Sequence, residues 1–470
     1  MTGSLAGLLL LNALYVVLGF ELLPLLRIVR TREQLWSRLG LAYIVGTGFV
    51  GVLATYLALV DVPVGLLEVT VLALIGGALA WRAVRRLPRE LVAETETRHR
   101  AWPELAVALF GVGALVAALV LLGHATRAFA VRPLVEWDGW AIWGMKARAL
   151  YDFGGVAHGI FTTAPYGPLQ HPLLLPALEA TGFRAMGAFD GTLIHVQLAL
   201  LAVGFVAALW THLRERVPAA LAGATILAIV AASSTLTQLA SNLADIPLAF
   251  LVALGVVALA RSLLDDGTHL LPFAALMLGA ATLTKPEGLL FAIAALVPFV
   301  AIARTRASLF TAVAVALMLA PWRIFLAAHG LKNPEYSLGD ALSPSYLSDH
   351  SNRARPAFEG VWHQVWSSGW GWLVPLALVG LAAALIARSW RLAGFAAAWG
   401  LLSFGGIVLV FWISVVPVEL TLKWAAYRTV ASLVIGAAAL APLLAADAWP
   451  DELIRSRAKR AAARASAGAS

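Results

Sequence analysis

Five ionisable residues, Glu136, Asp138, Lys146, Arg148 and Asp152, stand among three tryptophans in VEWDGWAIWGMKARALYDFGG, residues 135–155. Four other segments carry related groups. PYGPLQHPLLLP (165–176) sets Tyr166, Gln170 and His171 between prolines, SNLADIP (241–247) contributes Asp245, TKPEG (284–288) contributes Lys285 and Glu287, and KWAAYR (423–428) contributes Lys423 and Arg428. A carboxylate within hydrogen-bond reach of a hydroxyl can act as a general base. Cations aimed at an anionic leaving group stabilise its departure. Arg323, in APWRIF, falls within an apolar run, where a guanidinium needs an anionic ligand or a lipid headgroup as partner.

Each group also has a plainer reading. Asp245 and Thr284 precede apolar runs and suit helix N-caps, with the following prolines in first turns. Glu287 in a first turn favours the helix dipole. His171 before a proline fits a loop, Arg148 and Asp152 are spaced as a surface pair on a helix, and Lys423 and Arg428 could meet lipid phosphates. Glu136 and Asp138 are harder to explain structurally, because carboxylates near lipid cost energy and gain nothing from packing.

The elements that must position these residues are apolar. The 470-residue chain is 61% hydrophobic and 13% charged, with a mean hydropathy of +0.84. Apolar runs of roughly 17 to 25 residues recur from end to end, which predicts an all-α polytopic membrane protein rather than a β-barrel of alternating segments. About thirteen spans are expected, near 5–26, 39–60, 64–81, 103–123, 191–210, 217–234, 246–262, 269–283, 288–303, 307–328, 369–387, 392–414 and 427–446. The first run is too long for a signal-peptide core and reads as a retained span. With no cysteine, disulfides, thiolate metal sites and cysteine nucleophiles are excluded.

The net charge of +8 is a topology signal rather than a nucleic-acid footprint. Arginines gather on alternate connections: Arg27 to Arg38, Arg82 to Arg100, Arg214 and Arg216, Arg261, Arg304 and Arg306, Arg388 and Arg391, and the tail from Arg455 to Arg464. By the positive-inside rule these connections are cytoplasmic, which places the N-terminus outside, the C-terminus inside, and the chain in the plasma (inner) membrane. The chemistry-bearing segments then all fall on the outer side, two of the five in a first large loop, residues 123–190. A second outer loop covers 329–368. Within the first, residues 140–155 predict a short amphipathic helix along the membrane surface, its tryptophans at headgroup depth and its end at Gly154-Gly155. The basic tail, 447–470, reads as cytoplasmic and disordered.

This layout resembles the GT-C superfamily of integral-membrane glycosyltransferases, in particular its dolichyl-phosphate-mannose-protein mannosyltransferase-like and lipid A aminoarabinose transferase-like branch. The matching features are the acidic opening EWD of the outer loop, its amphipathic helices, the proline-rich YGPLQHPLLLP, and the later NLADIP, LTKPEGLLF and APWRIF turns. The resemblance covers residues 103–446 and leaves 1–102 as additional N-terminal helices. It implies transfer of a sugar from a polyprenyl-phosphate carrier to an acceptor at the outer membrane face. It also implies that Asp138, with Glu136 second, acts as base on the acceptor or positions it, and that Asp245 is the second acidic position. Lys285, Lys146, Arg148 and Arg428 would hold the carrier phosphate, with Glu287, Tyr166, His171 and Arg323 as further substrate contacts. Two features depart from the family: the loop follows the fourth span rather than the first, and Trp137 splits the acidic pair.

The residue types suit that chemistry independently, because a sugar phosphodiester needs cations at its phosphate and a carboxylate at the acceptor hydroxyl. A divalent cation could bridge phosphate and the oxygens of Glu136, Asp138 and Asp245, although no spacing demands one. The main rival is a transporter or flippase for a lipid-linked or polar substrate, which would place charges near the bilayer midplane. A scaffold without activity is a third reading. The identities of sugar and acceptor are not written in the residues.

Overall fold

In a computed structural model of the chain, residues 2–89, 104–131, 134, 136–163 and 168–447 are described. Every regular element among them is helical. Lipid offers backbone groups no hydrogen bonds, so the long apolar runs must satisfy their own as helices. Among the described residues, nine helices are long and apolar enough to span a membrane. Two of the thirteen expected spans are bent instead: Ala219–Ala231 breaks by 55° into Ser233–Ala240, and Ser351–Trp370 turns by 106° into Leu373–Ile386. Two more, Leu271–Thr282 and Glu287–Ala303, are shorter apolar helices. At about 1.5 Å per residue, neither reaches across a hydrocarbon core of about 30 Å.

The helix Asp245–Leu264 is apolar on all sides and accordingly buried along its whole length, at the centre of the bundle. Glu104–Phe129, Leu66–Arg86 and Arg306–Ala328 instead expose apolar faces, including Leu105, Leu109, Phe110, Leu74 and Phe310. The N-terminal helices pack directly onto the remainder. Asn12 donates to Gln197 (2.8 Å), and the Tyr56 hydroxyl donates to the carbonyl of Met318. Helices Thr2–Leu25 and Ala42–Ala58 touch backbone to backbone at Gly19 and Gly46. A Cβ there would lie 1.7 Å from the Ala42 oxygen and 1.9 Å from the Tyr15 oxygen. Small residues permit such approaches in membranes, where association depends on close packing.

Charge collects at the two ends of the central helix, which at 20 residues is about 30 Å long. At its C-terminal end Arg261 pairs with Glu215 (2.7 Å) and Asp265 (2.9 Å), Arg38 pairs with Glu215 (2.9 Å), and Arg216 pairs with Asp265. Arg391 reaches Asp266 (2.9 Å) at the same end. These are residues of the arginine-rich connections, so alternate connections do meet at one end of the bundle. The basic tail lies outside the described residues.

Candidate functional site

The opposite end of the central helix begins with Asp245. It is the first helical residue, Ala244 being the cap, and its carboxylate points into the protein instead of capping. Lys285, in the turn between the two short apolar helices, donates to Asp245 Oδ1 (2.7 Å) and lies 3.3 Å from Glu287. Both members of the Lys285–Asp245 pair are buried, with 8% and 3% of their side chains exposed. Burial works against the Lys285 charge, but Asp245 and then Glu287 outweigh it and hold its pKa above the ordinary lysine range. Thr284 does not cap the following helix either: its hydroxyl donates back to the Ala280 carbonyl, and Pro286 takes the cap position.

Asp138 and Arg428 form a second ion pair beside the first, and Arg428 lies within electrostatic reach of Asp245 as well. Each member borders a π-helical turn, Gly139–Gly144 after Asp138 and Leu422–Ala426 before Arg428. Such turns are rare and recur at functional sites, because the extra residue per turn re-aims neighbouring side chains. Gly139 is required where it stands: an added Cβ would lie 2.2 Å from the Ser241 carbonyl oxygen. The Gly139 carbonyl accepts a hydrogen bond from Asn242 Nδ2 (3.2 Å), and Asn242 adopts a positive φ of 53°. Behind Asn242 lies Glu179, wholly buried and held well above the usual carboxylate range by desolvation. The segment that carries Asp138 is thus locked onto the SNLADIP turn, which carries Asp245.

Lys146 lies one layer further in. Its Nζ donates to the carbonyls of Pro168 (2.9 Å) and His171 (3.0 Å), and burial lowers its pKa to about 7. His171 stacks on the buried Trp143, with ring centroids 5.2 Å apart. Burial first, then the charges of Lys146, Lys285 and Arg428, push His171 well below its ordinary pKa, so the ring is neutral at the edge of the cluster.

The surface helix expected over 140–155 folds as the first π turn followed by Met145–Phe153, ended by Gly154 at φ 88°. Trp137 and Trp140 are exposed, whereas Trp143 belongs to the core. Arg148 points away from the cluster, pairing with Asp152 (3.4 Å) and lying over the Phe189 ring. Glu136 is exposed, and interacts with Tyr427 at the rim. Arg323 and Lys423 are exposed side chains of their helices. Tyr166 lies outside the described residues.

Glu335, which the sequence did not single out, also faces the cluster. Its N–H donates to Asn333 Oδ1 (2.9 Å), its carbonyl accepts from Val415 N–H (2.8 Å), and Gln170 reaches the same Asn333 oxygen (3.4 Å). Those bonds draw the second loop onto the first and onto the segment preceding Arg428. Partial desolvation, followed by the negative charge of Glu287, raises the Glu335 pKa; Lys285 and Arg428 oppose this and Asp138 adds to it. The only advance signal was Asn333-Pro334, a turn pair ahead of an acidic residue.

The cluster therefore holds two cations among Asp138, Asp245, Glu287 and Glu335. Among the described residues, Arg428 Nε, Asp245 Oδ2 and Glu287 Oε2 are buried without hydrogen-bond partners. Buried polar atoms are ordinarily paired, so these mark a place suited to a polar ligand. No group of three or more His, Asp or Glu among the described residues is arranged to hold a metal ion. Asp138 and Asp245 each have a protein cation as neighbour instead.

No curated protein and no solved structure matches the chain. Residues 170–326, about a third of the chain, match the dolichyl-phosphate-mannose-protein mannosyltransferase family model, and that segment carries His171, Asp245, Lys285 and Glu287.

Proposed function

We propose that the chain is a membrane glycosyltransferase that moves a sugar from a polyprenyl-phosphate carrier to an acceptor at the outer face of the plasma membrane. The observation that supports this most directly is the convergence of Asp138–Arg428 and Asp245–Lys285–Glu287 at one end of the central helix. The family match supports the reaction class through residues 170–326. The roles of Asp138 and Arg428, which lie beyond that segment, rest on geometry.

In this reading Lys285 and Arg428 hold the carrier phosphate and stabilise the charge that develops on it as the sugar leaves. The arrangement is preorganised, since both cations are fixed by carboxylates before substrate arrives. Asp138 uses one oxygen to orient Arg428, and its other oxygen takes the proton of the acceptor hydroxyl. Glu136 stands at the rim as a second acceptor contact. His171, kept neutral, can hydrogen-bond sugar or acceptor without adding charge. Residues 103–446 form the catalytic unit, and the helices described within 1–102 pack beside it. The arginine end of the bundle faces the cytoplasm. Charge concentrated at the two ends of the central helix supports surface chemistry over a translocation path.

The test is transfer from a polyprenyl-phosphate-linked sugar in membranes containing wild-type or Asp138→Asn protein. Asp138 is partly exposed, so the variant folds, and its rate falls roughly 10²- to 10⁴-fold, the range for loss of a general base. Full activity in the variant removes Asp138 from the mechanism.

A further inference from the structure

The candidate site has an excess of negative charge for a site built to hold an anion. Lys285 and Arg428 face Asp138, Asp245 and Glu287, and the second loop adds Glu335. The first three carboxylates are each engaged with a cation. Glu335 has no such engagement among the described residues, and it stays accessible on a segment fastened by Asn333, Val415 and Gln170. Its side chain is therefore spare charge beside the phosphate cations. Electrostatic free energy scales with the ligand's charge, so a spare carboxylate discriminates between ligands of different charge at the same phosphate.

Charge is what distinguishes the carrier before and after transfer. The reaction breaks the bond between the anomeric carbon and the phosphate oxygen, and the bonding pair leaves with the phosphate. A new bond joins the anomeric carbon to the acceptor oxygen, whose proton passes to the base carboxylate. The phosphodiester carries one negative charge. The departing monoester carries up to two, since its second pKa is about 6. We propose that Glu335 is a charge discriminator that disfavours the dianionic monoester relative to the monoanionic diester and so speeds release of the spent carrier. This rests on the reading that Lys285 and Arg428 hold the carrier phosphate. The other charged groups facing Glu335 are Glu287 and Asp138, with Tyr336 next to it on its own loop.

Two defined probes test it: dodecyl phosphate, a monoester, and dodecyl methyl phosphate, a diester. Each is titrated into the full-length protein in neutral detergent at pH 8, with tryptophan fluorescence as the readout. At an effective dielectric of about 20, one unit charge removed from within roughly 12 Å corresponds to about a tenfold change or more. Glu335→Gln therefore tightens the monoester about tenfold more than the diester. Glu335→Asp, which keeps the charge, retains the wild-type ratio. At pH 5, where the monoester has lost its second charge, the difference between Glu335→Gln and wild type shrinks. Equal effects of Glu335→Gln on both probes, or no effect, overturn the discriminator while leaving the phosphate site standing. If wild type binds neither probe, or Arg428→Met and Lys285→Met leave binding unchanged, the phosphate reading itself falls and the discriminator with it. Unchanged thermal unfolding of Glu335→Gln confirms that the loop bonds, which are made by its backbone, persist.

Discussion

Replacing Lys285 by methionine separates the structural from the chemical role of the buried pair. Lys285 donates to Asp245 at 2.7 Å, with 8% and 3% of the two side chains exposed. Asp245 Oδ2 already has no hydrogen-bond partner among the described residues, so the variant leaves a buried carboxylate without its hydrogen-bonded counter-ion, with Arg428 acting on it only at longer range. Removing one member of a buried ion pair costs about 3–5 kcal/mol, mostly because the remaining charge is stranded. Pairing Lys285→Met with Asp245→Asn removes the stranded charge, and most of that loss returns. Activity does not return, since the cation proposed for the phosphate is gone. Unfolding is followed by intrinsic tryptophan fluorescence on heating, because the chain has 17 tryptophans and no cysteine for thiol-reactive dyes. The expected pattern is a melting temperature several degrees lower in the single variant, largely restored in the double, with transfer lost in both. A single variant as stable as wild type would refute the desolvated pair. A double variant that recovers transfer would refute the role of Lys285.

Two further predictions address the scaffold around the cluster. Gly139→Ala places a methyl group 2.2 Å from the Ser241 carbonyl oxygen, which forces the π turn off the Asp245 turn. About 1–3 kcal/mol of stability is lost, as for overpacking, and transfer falls with it, both measured on the same preparation. At the arginine end, desolvation opposes ionisation of Glu215, but Arg261 and Arg38 outweigh it and hold its pKa down to about 2. Its folded pKa lies below its unfolded value of about 4.5, so this contribution is complete above pH 4.5 and is lost as pH falls from there towards 2. Glu215→Gln lowers the melting temperature at pH 7 and flattens that acid dependence; an unchanged acid limb would count against the network.

Much of the outline was legible in the sequence. Long apolar runs can only be helices in lipid, and arginines on alternate connections gave an order that the meeting of Arg38, Arg216, Arg261 and Arg391 at one end matches. Composition could not foresee that the segments near 217–234 and 369–387 belong to bent pairs, or that those near 269–283 and 288–303 form shorter helices. Hydropathy records the polarity of a run, whereas a bend depends on what packs against it.

The candidate site divides in the same way. Residue type and position in the polar connecting segments were enough to single out Asp138, Asp245, Lys285 and Arg428, since carboxylates and cations in so apolar a chain are costly unless paired or used. Which cation meets which carboxylate was decided by the packing of four separate segments. Tertiary structure also separated lookalikes: Lys146 and Arg148 are two residues apart on one helix, so one side chain turns inward to two carbonyls while the other turns outward to Asp152. Beyond the Asn333-Pro334 turn pair ahead of Glu335, nothing local pointed to Glu335, Glu179 or the paired π turns. Their significance comes from contacts between residues distant along the chain, and no local periodicity encodes those contacts.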